Sequence, residues 1–454
     1  MKAGIVRIIF VCAVLMLALS ITTSAFAEEI RKWKEVDYEI ALDDSKLDND
    51  KEKSIMNEFK FDDESFLFQC LWRFGAIYNG GGDLGEMLTI TSRIKDGDHE
   101  SWFTSWNSMA DHINDIALEF LKDSHKISAK EAFLRATNYY RSAEIFLLPE
   151  DKRLITTWRK GRNSFLQAAK LSNGLIEFVE IPFEDTTLPA YMCRVDKSGK
   201  KRPLLLIQIG LDGTAEDLYF ILVAQALKRG YNCLAFEGPG QGEMIRIKKM
   251  PFRYNWETVV TPVVDYAVKL PEVDKSKIAL IGYSMGGYLV PRAAAFEHRI
   301  KYFVVDGGVF SVYDGTMAMF SPEIKELVDD DAAEKKLNDL IQAEREKSPD
   351  TDKFIHMLLW TFDADSPFQV FRMLKKYSME GVIDKIQGEM LVIGSIDDQV
   401  AGSYEQAKIF YKALKSPKTY LEFTRTEGGQ FHCQLGAPAI SSERILNWLD
   451  DRLK

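Results

Sequence analysis

Two hydrophobic periods divide the chain. From about residue 58 to 171, apolar positions recur every three or four residues. Met109, Ile113, Ile116, Ala117, Phe120 and Leu121 line one face of a predicted helix. Ser128 and Glu131 have the spacing of a capping box ahead of Ala132, Phe133 and Leu134, and residues 159–171 read as a further helix. Four of the eight tryptophans (Trp72, Trp102, Trp106 and Trp158) fall in this stretch, where helical spacing assigns them to a core. The run Asn79-Gly80-Gly81-Gly82-Asp83 is a turn before a helix start. It lacks the Gly-Lys-Ser/Thr that would make it a phosphate loop.

Near Leu175 the period changes. Residues 176–183 and 188–195 read as strands, the second placed at a sheet edge because Pro189 cannot donate to a ladder. Short, continuously apolar runs follow at 204–209, 232–236, 278–281, 302–305, 391–393 and 420–423. They alternate with helical stretches near 216–228, 256–270, 286–295 and 404–414. Strands without polar alternation, joined by helices, predict an α/β fold: a mostly parallel central sheet covered on both faces. Residues 310–384 break the rhythm with helical, charged and apolar stretches, and are expected to be an inserted helical lid. Asp329-Asp330-Asp331 within them reads as a solvated helix edge. The expected division is a helical cap over 28–174 and a catalytic domain over 175–454 that contains the insertion.

Candidate chemistry gathers where these strands end. Gly282-Tyr283-Ser284-Met285-Gly286-Gly287 lies between a buried strand and an apolar helix, the context of a nucleophile elbow. A serine in so tight a turn is held above the sheet, at the positive end of the following helix. Its hydroxyl needs a base, and the base an orienting acid, in the chain order Ser, Asp/Glu, His. Of the histidines after Ser284, His298 falls in the helical region behind the elbow and His356 in the insertion. His432 follows the last strand in a glycine-containing loop and is the expected base. The acid is sought beyond strand 391–393, in Gly394-Ser395-Ile396-Asp397-Asp398. Asp397, three residues after the glycine, is the choice, with Asp398 and Asp306 as alternatives. Oxyanion donors are expected from the backbone N–H of Met285 and of Leu211, the latter in the loop Gly210-Leu211-Asp212-Gly213.

The stretch from Gly210-Leu211-Asp212-Gly213 through Phe236-Glu237-Gly238-Pro239-Gly240-Gln241-Gly242 and the elbow to His432-Cys433-Gln434 resembles one branch of the α/β hydrolases. It is similar to the dihydroxypseudooxynicotine hydrolases, the fungal polyketide-shortening hydrolases and the fermentation-respiration-switch-like esterases. The resemblance implies a helical domain before the catalytic one. It also implies a Ser-Asp-His hydrolase of esters, or of carbon–carbon bonds next to a carbonyl, needing no metal or organic cofactor. Two other classes compete. A prolyl-oligopeptidase-like peptidase would require a propeller of many short strands upstream, and that region reads as helical. A non-catalytic binding protein on the same fold would be expected to have lost a triad member, and none is missing.

Composition narrows the partners. With 58 Lys+Arg against 68 Asp+Glu the net charge is −10, which gives no overall attraction to nucleic acid or anionic lipid. The expected partner is a small-molecule substrate, with a homodimer left open. Lys2, Arg7, an apolar stretch over 8–19 and Ala25-Phe26-Ala27 form an export leader, with cleavage expected before Glu28 into the periplasm or the medium. No later run is long enough to span a membrane, so no stable insertion is expected after cleavage. Cys70, Cys193, Cys233 and Cys433 show neither a C-x-x-C nor a zinc spacing, and imply no particular disulfide.

Overall fold

A computed structural model describes residues 61–454 except Asp212. The expected leader, residues 1–27, lies outside the described residues. Among the described residues five α-helices precede the sheet: α1 (Glu64–Gly75), α2 (Leu84–Arg93), α3 (His99–Lys122), α4 (Lys126–Glu144) and α5 (Lys152–Lys170). Asp63, Asp83, Asp98 and Asp151 cap four of them by accepting first-turn N–H groups, the arrangement that most stabilises a helix start. The fifth differs from expectation. α4 begins at Lys126, so Ser128 and Glu131 lie inside the helix and form no capping box. Trp102 and Trp106 are fully buried and Trp158 nearly so, as expected, whereas Trp72 is only half-buried against the same core.

Eight strands follow: β1 (Ile176–Phe183), β2 (Thr186–Cys193), β3 (Arg202–Gln208), β4 (Asn232–Phe236), β5 (Val273–Tyr283), β6 (Tyr302–Asp306), β7 (Glu389–Ser395) and β8 (Lys418–Phe423). They form one sheet in the order β1-β2-β4-β3-β5-β6-β7-β8. Only β2 runs against the rest, pairing antiparallel with β1 and β4. The edge position expected from Pro189 is therefore wrong: β2 is an inner strand. Its ladder with β4 starts at Ala190, and Pro189 contributes only its carbonyl, which accepts from the Glu237 N–H. The missing donor falls where β4 has already left the sheet.

Successive strand residues point to opposite faces, and each face has its own core. Leu205, Ile207, Ile281 and Ile393 pack in one cluster with Phe66, Trp102, Phe133 and Phe165 of the N-terminal helices. Leu206, Leu280, Val305 and Val392 pack in the other with Ile324, Leu337, Phe371 and Leu374. Those last four belong to the segment between β6 and β7, where the helices Val312–Met317, Pro322–Leu327, Glu334–Lys347, Pro349–Phe362 and Pro367–Leu374 interrupt the strand sequence. Upstream of the sheet the described residues hold helices and no strand, so they contain no propeller. No helix among them is long and apolar enough to cross a membrane. Among the described residues Cys70, Cys193, Cys233 and Cys433 form no disulfide with one another.

Candidate active site

β5 ends at Tyr283, and Ser284 takes φ 58° before the helix Gly286–Ala294 begins. That left-handed conformation is costly for serine and persists because its surroundings fix it. The Ser284 N–H donates to Asp306 O at 2.9 Å, tying the elbow to the end of β6. Gly287 lets the helix pass that strand end closely, since a Cβ there would sit 1.8 Å from Gly307 O.

His432 Nε2 lies 2.9 Å from Ser284 Oγ, and its Nδ1 lies 2.8 Å from Asp398 Oδ2. The carboxylate that meets the histidine is thus Asp398, one residue beyond the expected Asp397. Asp397 makes a bidentate pair with Arg425 at 2.7 and 2.8 Å, partly open to solvent and away from the histidine. The cause is the length of β7, which continues past Gly394 to pair Ser395 with Phe423. Counting from the true strand end puts the inward carboxylate at 398, while the Asp397 N–H is held by Gln430 O. Asp398 is buried, and its other oxygen accepts the Val400 N–H at 3.1 Å. Asp306, the second alternative, is also buried but reaches Gln434 instead, accepting its Nε2–H at 2.9 Å. His298 lies against Ala295 O and His356 beside Arg345, so neither joins the site.

Two opposing effects act on His432. Burial disfavours the imidazolium, but the adjacent Asp398 carboxylate outweighs it, and the pKa stands well above the usual 6.5. Burial pushes the neighbouring Cys433 thiol up to about 11, so it carries no charge near neutral pH. Asp306 is likewise pushed up by burial, to about 7.

The loop after β3 brings its backbone to the nucleophile. A Cβ on Gly210 would lie 2.7 Å from Ser284 Cβ and 2.8 Å from Met285 N, so only glycine fits. Gln241 then sets the loop's orientation: its Nε2 donates to Ile209 O at 2.6 Å and Gly210 O at 3.0 Å. In a trans peptide the Leu211 N–H points opposite to the Gly210 carbonyl. Gln241 therefore turns that N–H away from itself, and no backbone acceptor among the described residues takes the N–H of Leu211 or Met285. Gln241 carries no role in the expectations drawn from the sequence. Its signal was a polar side chain inside the glycine-rich turn after β4, a position with no solvent to satisfy it.

The N-terminal helices reach the site. The Phe68 ring of α1 lies over the His432 imidazole, centroids 6.2 Å apart and planes 28° apart. Buried ion pairs hold those helices in register with the sheet. Asp217, at the start of the helical stretch after β3, pairs with Arg73 of α1 at 2.9 Å and Arg141 of α4 at 3.0 Å. Arg162 of α5 faces Glu216, Glu237 and Glu243.

Fold and side-chain geometry together define a class, the α/β hydrolases with a nucleophile elbow. The model of the alpha/beta hydrolase fold family matches residues 203–414. The chain is 30% identical over 406 residues to the 20-hydroxy-prefusarin hydrolase FUS2 of Gibberella moniliformis, covering 86% of this chain and 97% of that protein. It is also 30% identical over 405 residues to hydrolase LUC6 of a Fusarium species, covering 85% and 96%. The solved 2,6-dihydroxy-pseudo-oxynicotine hydrolase shares its fold, with a TM-score of 0.65 at 20% identity, covering 84% of this chain and 95% of that one. The chain belongs to the α/β-hydrolase family, and it is an enzyme with serine-hydrolase chemistry on small organic substrates.

Proposed function

We propose that Ser284, His432 and Asp398 form the catalytic triad, with the Leu211 and Met285 N–H groups as oxyanion donors. The substrate is an ester, or a ketone cleaved at a carbon–carbon bond beside its carbonyl, on a small aromatic or apolar molecule. His432 Nε2 takes the Ser284 Oγ proton as the oxygen attacks the carbonyl carbon. The bond to the leaving group breaks, the leaving group receives that proton, and the acyl-enzyme is released by water in the reverse sequence of proton transfers. The continuous Ser284–His432–Asp398 hydrogen-bonded line is the observation that carries this reading. The relative FUS2, named as a 20-hydroxy-prefusarin hydrolase, supports a small-molecule substrate. Export of the mature chain from Glu28 belongs to the same proposal and rests on the leader alone.

The test is covalent labelling by a fluorophosphonate, followed by turnover of aryl esters and aromatic β-diketones. Ser284 should carry the label, and Ser284→Ala should abolish both labelling and turnover. Undiminished labelling of Ser284→Ala would sink the assignment. A native N-terminus at Met1 rather than Glu28 would refute export.

A further inference from the structure

His432 opens a turn that ordinary side chains disfavour. The two residues after it, Cys433 and Gln434, both take left-handed φ, 49° and 52°. That region is costly for any residue with a Cβ, and two in succession persist only where the surroundings fix them. Backbone bonds at this point stay local: the Gln434 N–H donates to Phe431 O at 2.9 Å and the Leu435 N–H to His432 O at 3.2 Å. Side chains carry the hold further. Cys433 Sγ makes a long contact with Asp306 O at 3.9 Å, and Gln434, only 1% exposed, reaches three separate elements.

The Gln434 amide is fully used. Its Nε2 has two hydrogens, one donated to Asp306 Oδ1 at 2.9 Å and one to Ser395 Oγ at 3.0 Å. Its Oε1 accepts from Ser441 Oγ at 2.7 Å, near the start of the C-terminal helix Pro438–Leu453. The first two partners each support a different member of the triad. Asp306 ends β6, and its backbone carbonyl accepts the Ser284 N–H at 2.9 Å. Ser395 ends β7, and its carbonyl accepts the Asp398 N–H at 3.0 Å. His432 lies two residues before Gln434 itself. One buried amide thus joins the supports of the nucleophile, the acid and the base, while hydrogen-bonding to none of their side chains.

We infer that Gln434 is a positioning residue for the reaction, its side-chain amide fixing the mutual placement of Ser284, His432 and Asp398. The inference rests on the triad proposed above. A role in packing alone would make Gln434 matter for stability and leave the folded enzyme's chemistry intact, whereas a positioning role is felt in the step that needs all three groups aligned.

The experiment compares wild type with Gln434→Leu on an aryl ester, with kcat normalised to sites labelled by a fluorophosphonate and folding verified by thermal melts. In Gln434→Leu, kcat should fall by about ten- to a hundredfold, the size of a misplacement near 1 Å, with KM within about twofold. Gln434→Met, which keeps the chain length, should do the same and serves where the leucine variant does not fold. Exchanging the two groups in Gln434→Glu/Asp306→Asn lets the amide at 306 donate to a carboxylate at 434, and should recover much of the lost kcat. A second readout needs no turnover. The pKa of His432, followed by 15N NMR and assigned among the six histidines by the signal lost in His432→Gln, should fall in Gln434→Leu as the ring leaves Asp398. If wild type is neither labelled nor active, the hydrolase reading fails, while the pKa comparison still tests the positioning. Unchanged kcat per labelled site in a folded Gln434→Leu or Gln434→Met overturns the inference. So does an unmoved His432 pKa, or a folded exchange variant no more active than Gln434→Met.

Discussion

Replacing Asp398 by asparagine tests the site most sharply, because its neighbour Asp397 is a built-in control. The Asp398 carboxylate accepts from His432 Nδ1 at 2.8 Å, which leaves Nε2 unprotonated to receive the Ser284 proton. An asparagine amide presents an N–H to Nδ1 and favours the opposite tautomer, with the proton on Nε2, where it blocks the transfer. We expect kcat on an aryl ester to fall by about two to four orders of magnitude, or roughly 3–5.5 kcal/mol of transition-state stabilisation. Asp397→Asn removes a partly exposed pair with Arg425, worth about 0–1 kcal/mol of stability, and should leave kcat within about threefold. The pH profile adds an independent reading. The active form has neutral His432, so activity rises as pH rises through its pKa, and Asp398 holds that pKa above 6.5. The wild-type acid limb should therefore lie above pH 6.5, and in Asp398→Asn the limb should move to lower pH. Steady-state kinetics from pH 5 to 10, with thermal melts to verify folding, decide the matter. A large loss in Asp397→Asn, or an acid limb unmoved in Asp398→Asn, would refute the reasoning.

Three further outcomes are expected. Gln241→Leu releases the Ile209 and Gly210 carbonyls and should lower kcat by roughly tenfold or more with little change in KM, because a misdirected oxyanion donor is felt mainly in the transition state. An equal loss in binding and turnover would contradict that. Asp306 has a folded pKa of about 7 against 3.8 for an unperturbed aspartate, so its contribution to stability is complete below pH 3.8 and is lost as pH rises through 7. Asp306→Asn keeps the acceptor for Gln434 and should melt higher than wild type above pH 7, by at most roughly 4 kcal/mol of stability; identical melting curves at pH 5 and 9 would remove the argument. Phe68→Ala uncovers one face of the His432 ring and should reduce kcat/KM for aryl substrates more than for acetate esters of short alcohols, measured as the ratio of the two; an unchanged ratio would mean that α1 does not shape the pocket.

What the sequence made legible follows from which forces are local. Buried parallel strands write themselves as apolar runs, and 232–236 is β4 to the residue. The elbow was equally clear, because strand, glycines, serine and helix are contiguous. The carboxylate that meets His432 lies one position beyond the expected one because the end of β7 depends on pairing with β8, and Ser395 has no apolar side chain to announce it. Pro189 misled for a similar reason: a proline's cost depends on which neighbour its nitrogen faces, and that neighbour is some 45 residues away at β4. The π-helical turn Tyr219–Val223 inside the helix after β3 left no trace in the periodicity.

The least legible feature is the charged seam between the N-terminal helices and the sheet. Arg73, Arg141 and Arg162 sit on helices whose pattern reads as ordinary amphipathic surface, and nothing local marks these three as buried. Their partners Asp217, Glu216 and Glu237 lie far along the chain, after β3 and β4. An apolar seam would have been at least as stabilising, since desolvating both members of an ion pair offsets most of their attraction. What charges add is direction. An apolar face tolerates sliding by a fraction of a helical turn, whereas Asp217 gripped by guanidiniums from α1 and α4 fixes both helices at once. Phe68 lies five residues before Arg73 on α1, so a shift of that helix would carry its ring off His432. The same seam continues through Arg141 and Glu144 to Arg246, at a recess beside Leu211. Its geometric constraint thus runs from the Phe68 ring over the histidine to Arg246 after β4, and rigid supports of this kind are what hold a site's geometry.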